Sequence, residues 1–579
     1  MSRNDEVASR LEEIADLLDA TDVEYKPRAY RDAAENVRAH PRAVEGLAAD
    51  GPDAVAEIDA VGEAISEKIV EYFETGTITE LEELREELPV EMAALTRIEG
   101  VGPKTVAKLY EALGVQTLDD LEAAADAGEI RTVKGFGPKT EENIRENVDF
   151  AREAHERQLL GEALPRGEAV VAYLEEQEPI QRVALGGSIR RWRPTIGDVD
   201  VLVGSEEPEA AVAAFTDWPD ATGVIEAGTS KASLWVDRFR VDLRVVSPTE
   251  FGAALQYFTG SKDHNVAVRS RAIDRDLKVN EYGVFDVSSV ADPDAGQRIG
   301  DCLASETEEA VYEALGMEWM PPELRENRGE VEAAATGELP DLLTLEEMRG
   351  DCHVHTAWSD GGNSIESMVA GAHEYGHEYV CVTDHASGPG IISGVGLDDA
   401  EILDQLSTIR EVGDEAAIEV FAGIEANIDV DGALSVGDDV LAELDVVIAA
   451  SHSALDGPGT DRLVEAARHP EVDVIGHPTG RYLNRRSGLD VDVERLASVA
   501  AEYDTALEVN ANPHRLDLQG QAVKQAIEAG ATIAINTDAH SQDGFDFLRY
   551  GVHTARRGWA EAPDVLNTRA PDEFRAFLE

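Results

Sequence analysis

Two sets of residues in this chain have types and spacings suited to chemistry. The first opens in LGGSIRRWRPTIGDVDVLV, Leu185 to Val203. Side chains two apart on a strand share a face, so Asp198 and Asp200 of the D-x-D present two carboxylates together. Hard oxygen donors of this kind suit Mg2+ or Mn2+. Asp242, in FRVDLRVV, supplies a third carboxylate if its strand is a neighbour. Three acids sharing two divalent ions about 3.5 to 4 Å apart make a clamp for in-line phosphoryl displacement. The turn at Gly186, Gly187 and Ser188 lets backbone N–H groups and a hydroxyl approach phosphate oxygens, while Arg190, Arg191 and Arg193 offer forked donors to a triphosphate. Taken alone, this stretch is equally well a polar strand end with surface arginines. The segment YFTGSKDHNVAVRSRA favours a nucleotide: Tyr257, Phe258 and the Gly260 turn suit a sugar, and Asn265 and Arg269, one helical turn apart, suit a base edge and a template strand.

The second set is histidine-rich. Of 14 histidines, three fall in the first 350 residues and eleven in the last 229. His353 and His355 alternate on one strand face, Asp360 follows, and His385, Glu425, His452, His477, Asp538 and His540 end successive apolar runs. Nine nitrogen and oxygen ligands without a thiolate suit Zn2+ or Mn2+ in an open, multinuclear catalytic site. A single strand-end histidine carries little weight; nine in register carry much more.

These residues require elements to hold them. At about 150 residues per domain, 579 residues make roughly four domains. Residues 1 to about 150 read as short amphipathic helices broken by glycine hairpins, in three similar units: AVGEAISEKI, EGVGPKTVAKL and KGFGPKTEENI. From about 160 to 250 strands alternate with helices. The proline-bounded, charged and poorly periodic stretch from Pro321 reads as a linker. Beyond it, apolar runs such as YVCVTDH, DVVIAASH and ATIAINTDAH recur with helices between them, which predicts a barrel of parallel strands with its chemistry at the strand C-termini.

The three cysteines show no C-x-x-C spacing, which excludes a disulfide framework and a thiolate zinc site and fits a reducing cytoplasm. No run of 18 apolar residues occurs, so neither a membrane span nor a signal peptide is expected. A net charge of −67, spread along a chain that is 43% hydrophobic, points to halophile adaptation rather than to an acidic tail. Charge of that sign disfavours nucleic acid in general, so a DNA partner has to be argued from local sites.

The motifs G-S-x-x-R, G-D-x-D, V-D-L-R and Y-F-T-G-S, in this order, resemble those of the family X DNA polymerases. The resemblance implies that Asp198, Asp200 and Asp242 are the catalytic metal ligands, that Gly187, Ser188 and Arg191 bind the triphosphate of a dNTP, and that Tyr257, Phe258 and Gly260 line its sugar pocket. Asn265 would meet the base and Arg269 the template; Lys262 stands where the family has an acid. Residues around Gly62, Gly100, Gly102, Gly135 and Gly137 resemble helix-hairpin-helix elements, whose N–H groups take a DNA phosphate, sometimes through a monovalent cation. VGEAISEKI is similar to the lyase segment of the family, which aligns Lys68 with the Schiff-base lysine and gives Lys26, Tyr30 and Arg31 to the 5′-phosphate, although Ala64 replaces a phosphate-binding lysine.

The set H-x-H, S-D-G, T-D-H, G-I-E, S-H, G-H-P and D-A-H resembles the PHP (polymerase and histidinol phosphatase) domain, which implies three metal ions and phosphoesterase chemistry. His373, His377, His469, His514 and His553 lie outside that pattern and read as structural. The implied fold is a multidomain α and α/β chain: lyase-like helices (1–90), fingers-like helices (91–155), a nucleotidyltransferase palm (156–258), a thumb (259–320), a linker (321–345) and a (β/α)7-type PHP barrel (346–579). The implied function is template-directed filling of short gaps in base excision repair, by a cytoplasmic monomer acting on gapped or nicked duplex DNA, with a 3′–5′ exonuclease or 3′-end phosphoesterase and a 5′-deoxyribose-phosphate lyase. Two other readings stay open. A small-molecule nucleotidyltransferase shares the GGS and D-x-D but has no use for Tyr257, Phe258 or three hairpins. A purely structural barrel leaves its nine ligands without a purpose.

Overall fold

The computed structural model of the chain describes residues 3–578 apart from 22–25, 40–43, 50, 57, 59, 97, 99–100, 146–147, 149–156, 237–238, 294 and 392–394. It divides into two units: residues 1–157 with 484–486, and the remainder. The first unit is helical. Short helices precede long ones, as in Pro52–Val55 before Glu63–Thr75 and Met92–Leu95 before Pro103–Leu113. Gly76 and Gly114 end the two long helices in the left-handed conformation, where glycine avoids the Cβ penalty.

The second unit begins with a five-stranded sheet: β1 (Arg182–Leu185), β2 (Val199–Gly204), β3 (Gly223–Ala227), β4 (Lys231–Val236) and β5 (Phe239–Val246), in the order β1-β2-β5-β4-β3. Strands β2 and β5 are parallel neighbours with Asp200 opposite Asp242. The alternation of buried and exposed positions along β5 is that of a sheet with one face on a core. Helix Phe251–Thr259 then leads through helix Lys262–Ile273 to a small antiparallel sheet, β6 (Leu277–Asn280), β7 (Gly283–Asp286) and β8 (Asp301–Ala304).

Residues 321–345, expected as a linker, form a packed strap. Helix Glu330–Thr336 lies within it, and Arg325 and Glu330 are completely buried. Its charges were misleading because several of them have inward partners rather than solvent. Glu323 accepts from His553 and Arg556 at 2.7 Å, Arg325 pairs with Glu308 at 2.5 Å, and Glu330 with His264 at 2.7 Å. Partners lying in different directions erase any helical or strand period.

Seven parallel strands follow in sequential order: β9 (Gly350–Val354), β10 (Tyr379–Val382), β11 (Glu419–Asn427), β12 (Val446–Ala450), β13 (Val474–Gly476), β14 (Ala506–Asn510) and β15 (Ile533–Asn536). A bridge from Val354 to Ala539 draws the last strand toward the first, so the sheet is a nearly closed barrel. Phe574, from the C-terminal helix, fills its core by stacking on Tyr379 at 4.5 Å. The barrel and the five-stranded sheet share an apolar interface: Leu516 and Tyr550 are buried in the core of the sheet domain, and His553 stacks on Trp192 with ring centroids 3.6 Å apart. No helix among the described residues is long and apolar enough to cross a membrane.

Candidate active sites

Strand pairing brings the three palm acids together. Asp198 and Asp200 are separated by one pleat at the start of β2, and Asp242 sits beside Asp200 on β5. Burial, followed by repulsion from Asp198 and Asp242, pushes the Asp200 carboxyl up to about 7. Arg240, two residues before Asp242, donates to it at 2.8 Å. Gly187 has φ +56°, and a Cβ there would run into the Asp200 carboxylate, so glycine is required by conformation and by space. A cavity of about 240 Å3 adjoins the acids, lined among others by Gly186, Arg240, Arg244 and Phe258. Converging carboxylates that raise one another's proton affinity fit divalent cations.

The expected triphosphate arginines are all engaged. Arg190 makes a two-pronged ion pair with Glu308 at 2.8 Å, bonds that tie the palm to the thumb. Arg191 donates to Glu326 at 2.7 Å and to the Thr259 carbonyl at 2.7 Å, and Arg193 reaches the same Glu326 at 3.3 Å. Ser188 lies in the turn that opens helix Gly187–Arg190. Tyr257 and Phe258 meet edge to face at 5.2 Å, and Arg269 lies over the Tyr257 ring. Asn265 spends its amide on the carbonyls of Tyr257 (2.7 Å) and Gly260 (3.2 Å), bracing the turn in which Gly260 has no room for a side chain.

The barrel ligands converge at the C-terminal ends of its strands. Three overlapping groups each bring ligand atoms within 4.8 Å of one another: His355, Asp360, His385 and His540; His353, His355 and Glu425; and His385, Glu425 and His452. His477 joins through Glu425 at 3.0 Å, and Asp538 through His355 at 3.1 Å. His353 Nε2, both ring nitrogens of His355 and His452 Nε2 are buried and make no hydrogen bond. Buried polar atoms without partners are uncommon, and several aimed at one another fit cations held between them. Burial works against charge on His385 and His452, yet Glu425 and Asp360 hold His385 up to about 10, while His452 falls to about 4.

Behind the ligands, Glu508 on β14 accepts from His353 Nδ1 at 2.8 Å and from the His477 backbone at 2.6 Å. This fixes the His353 tautomer and ring orientation. Asp384, beside His385, holds the loop after β9 by accepting from Thr356 and Ser359. Neither it nor Glu508 was singled out from the sequence. Glu508 had one available signal, an acid at a strand end in LEVN like the other ligands.

In the helical unit, Lys68, Tyr30 and Lys26 gather on one carboxylate, Glu80, at 3.2, 2.7 and 3.7 Å. Arg31 instead pairs with Asp16 and Asp19. Gly62 and Gly102 have φ of −79° and −83°, and an added Cβ at either would meet nothing within 4 Å. Neither backbone conformation nor internal packing demands glycine there, which leaves room for an external partner approaching the backbone closely. The same space lies open at Gly137, whereas Gly135, at φ +102°, is needed by the turn itself. Gly100 lies outside the described residues.

A sheet bearing three clustered acids, joined to a strand-end metal barrel, defines a two-centre enzyme of phosphoryl chemistry. Sequence comparison agrees along the chain: residues 2–78 match a helix-hairpin-helix domain, 92–148 a SAM-like helix-hairpin-helix tandem, 254–326 the DNA polymerase beta thumb and 351–565 the PHP domain. The DNA polymerase/3′–5′ exonuclease PolX of Bacillus subtilis is 34% identical over 96% of this chain and 95% of its own length. This chain belongs to that PolX family of family X DNA polymerases. Its barrel half is also similar to stand-alone proteins. A probable phosphatase of Caldanaerobacter subterraneus is 30% identical over 40% of this chain and 90% of its own, and another, of Shewanella sp. MR-4, 30% over 34% and 79%.

Proposed function

We propose that this protein fills short gaps in duplex DNA during base excision repair and that its barrel removes nucleotides or blocking groups from 3′ ends. The observation that supports the polymerase half is the in-register placement of Asp200 opposite Asp242, with Asp198 one pleat away. These acids would hold Mg2+ or Mn2+, and the nine barrel residues Zn2+ or Mn2+, with three ions matching the three overlapping groups. Ions bound at either place supply Lewis acidity toward phosphate oxygens.

The chain's own groups do the rest. Ser188 and the Gly187 turn face the triphosphate of a dNTP. Arg191 joins them by exchanging the Glu326 carboxylate for phosphate. Tyr257 and Phe258 wall the sugar, Asn265 meets the base, and Arg269 contacts the template strand. The hairpin glycines Gly62, Gly100, Gly102, Gly135 and Gly137 admit the DNA backbone on either side of the gap, with a monovalent cation between N–H groups and phosphate. The protein works as a cytoplasmic monomer, and its charge of −67 suits a cell rich in salt.

The test is a gapped duplex with dNTPs and Mn2+ or Mg2+, products being resolved over a KCl series. Fill-in and 3′ shortening are both expected, with a maximum in KCl because screening of self-repulsion and weakening of DNA binding oppose each other. Absence of nucleotide addition under every condition would return the palm to small-molecule nucleotidyl transfer. A monotonic fall from about 50 mM salt upward would remove the halophile reading.

A second activity, removal of 5′-deoxyribose phosphate, is favoured by the meeting of Lys68, Tyr30 and Lys26 on Glu80. The Lys68 amine would attack the aldehyde of an opened abasic sugar. Borohydride should trap wild-type protein on such DNA. An equal yield of adduct from Lys68→Ala would refute the role.

A further inference from the structure

We infer that Arg515 receives the phosphate of the terminal nucleotide at the barrel's metal centre, as a substrate-binding residue of the 3′-end reaction; the inference rests on the phosphoesterase reading of that centre. Among the described residues, the ligand acids Asp360, Glu425 and Asp538 have histidines as their ion-pair partners with a single exception, Arg515, whose Nε lies 3.7 Å from Asp538 Oδ2. The two oxygens of Asp538 are divided between two tasks. Oδ1 faces the ligand rings, at 3.1 Å from His355 and 3.7 Å from His353 and His540. Oδ2 faces away from them, accepting from Asn510 at 3.0 Å and meeting Arg515. The guanidinium therefore stands beside the cluster, one carboxylate removed from the ligand nitrogens.

Neighbouring arginines show why this one is free to act. Arg462 spends its fork on the carbonyls of Ser453 and Ala454, both at 3.0 Å. Arg481 spends its own on the carbonyls of Arg515, at 2.8 Å, and Leu516. The Arg515 guanidinium has no hydrogen bond to the described residues, only the loose contact with Asp538, and a fifth of the side chain is exposed. Its backbone is nevertheless fixed. Besides the bonds from Arg481, the Arg515 N–H bonds the Asn512 carbonyl at 2.8 Å, and the Leu483 N–H bonds that of His514 at 2.7 Å. A positioned backbone carrying uncommitted forked donors, next to a cation site, has the geometry for gripping non-bridging phosphate oxygens in a two-pronged fashion.

The competing role is a prop that only orients Asp538, and the two are separable with full-length protein loaded with Mn2+. Arg515→Ala should raise the KM for 3′ shortening of a single-stranded oligonucleotide by roughly tenfold to a hundredfold, the range for losing hydrogen bonds to a charged group. Arg515→Lys, a point charge without the fork, should recover only part. Calorimetry with dTMP, in an Asp242→Ala background that silences the palm, should show the same loss of affinity for Arg515→Ala. Metal content by mass spectrometry should stay at the wild-type level, and gap filling measured in the Asp242-intact protein should confirm that the variant is folded. Unchanged KM and dTMP affinity would overturn the inference, and so would loss of metal, which makes Arg515 a prop. A protein with Arg515 intact that neither shortens 3′ ends nor binds dTMP would bring down the phosphoesterase reading itself, a failure recognisable because it precedes any substitution at Arg515.

Discussion

In the palm, Asp198 is exposed, Asp242 half-buried, and the guanidinium paired with the trio is that of Arg240. In the barrel, Glu425 is wholly buried and has the rings of His353, His385, His452 and His477 within 3.6 Å of its oxygens. Both places gather acids for divalent ions, but they balance charge differently. The palm leaves its carboxylates in mutual repulsion, visible in the raised Asp200, an arrangement that would favour ions arriving together with a triphosphate. The barrel supplies imidazoles and buries Glu425, His353 and His355 completely, while Asp360 and His540 stay partly exposed, an arrangement that would suit ions held without substrate. The two sets of residues can share one chain because they do not overlap.

The largest effect should come from Asp242→Ala, which removes one arm of the palm clamp. Nucleotide addition should fall by about a thousandfold, corresponding to about 4 kcal/mol of barrier, while 3′ shortening stays within about twofold. Equal loss of both in gel assays would break the separation of the two centres. Next, His353→Ala combined with His355→Ala should abolish 3′ shortening, lowering it by about a hundredfold or more, and release transition metal measured by mass spectrometry, with gap filling kept. Retained metal would mean that the ligand set is misassigned.

Glu508→Gln sharpens the idea of residence. Its carboxylate orients His353, and losing such a partner typically costs about 10- to 100-fold in metal affinity, so competition with a chelator should strip the variant sooner than wild type. The palm, which loads with substrate, should show no change. The smallest effect on activity concerns the strap. Interactions with His553 and Arg556 overcome burial and hold Glu323 down to about 2, against an ordinary 4.5. A depressed carboxyl contributes stability that is present above the ordinary value and lost as pH falls from 4.5 toward 2. Glu323→Gln should flatten that part of the acid-unfolding curve, as followed by circular dichroism, and leave both activities at neutral pH within about twofold of wild type.

Much of this was legible beforehand, and the reasons differ by element. The convergence of the barrel residues could be read because most of them end an apolar run, and strand ends of a parallel barrel have nowhere to converge but one rim. Asp198 and Asp200 could be paired from spacing alone, whereas Asp242 needed a strand order that alternation does not encode. Glu326 was not singled out because its partner Arg191, 135 residues away, leaves no local trace, and Glu80, Arg240 and Arg515 belong to no motif that marks them. The strap was misjudged for the same cause: charged residues look solvated until their buried counterparts are placed. Asn265 was read for its reach toward a base, and its role in bracing the Gly260 turn shows only in the fold.

The loop that carries Arg515 has a bearing on how separable the barrel is. Barrels like this one occur as proteins of their own, such as the probable phosphatase matched over 40% of this chain. Here, however, Leu516 is buried among palm residues, and a Cβ at Gly161 of the palm would collide with Pro513 of the same loop. The rim of the barrel thus packs directly against the palm. Excising the barrel at the strap would bare the apolar side of this loop and disturb the rim that carries the candidate metal ligands.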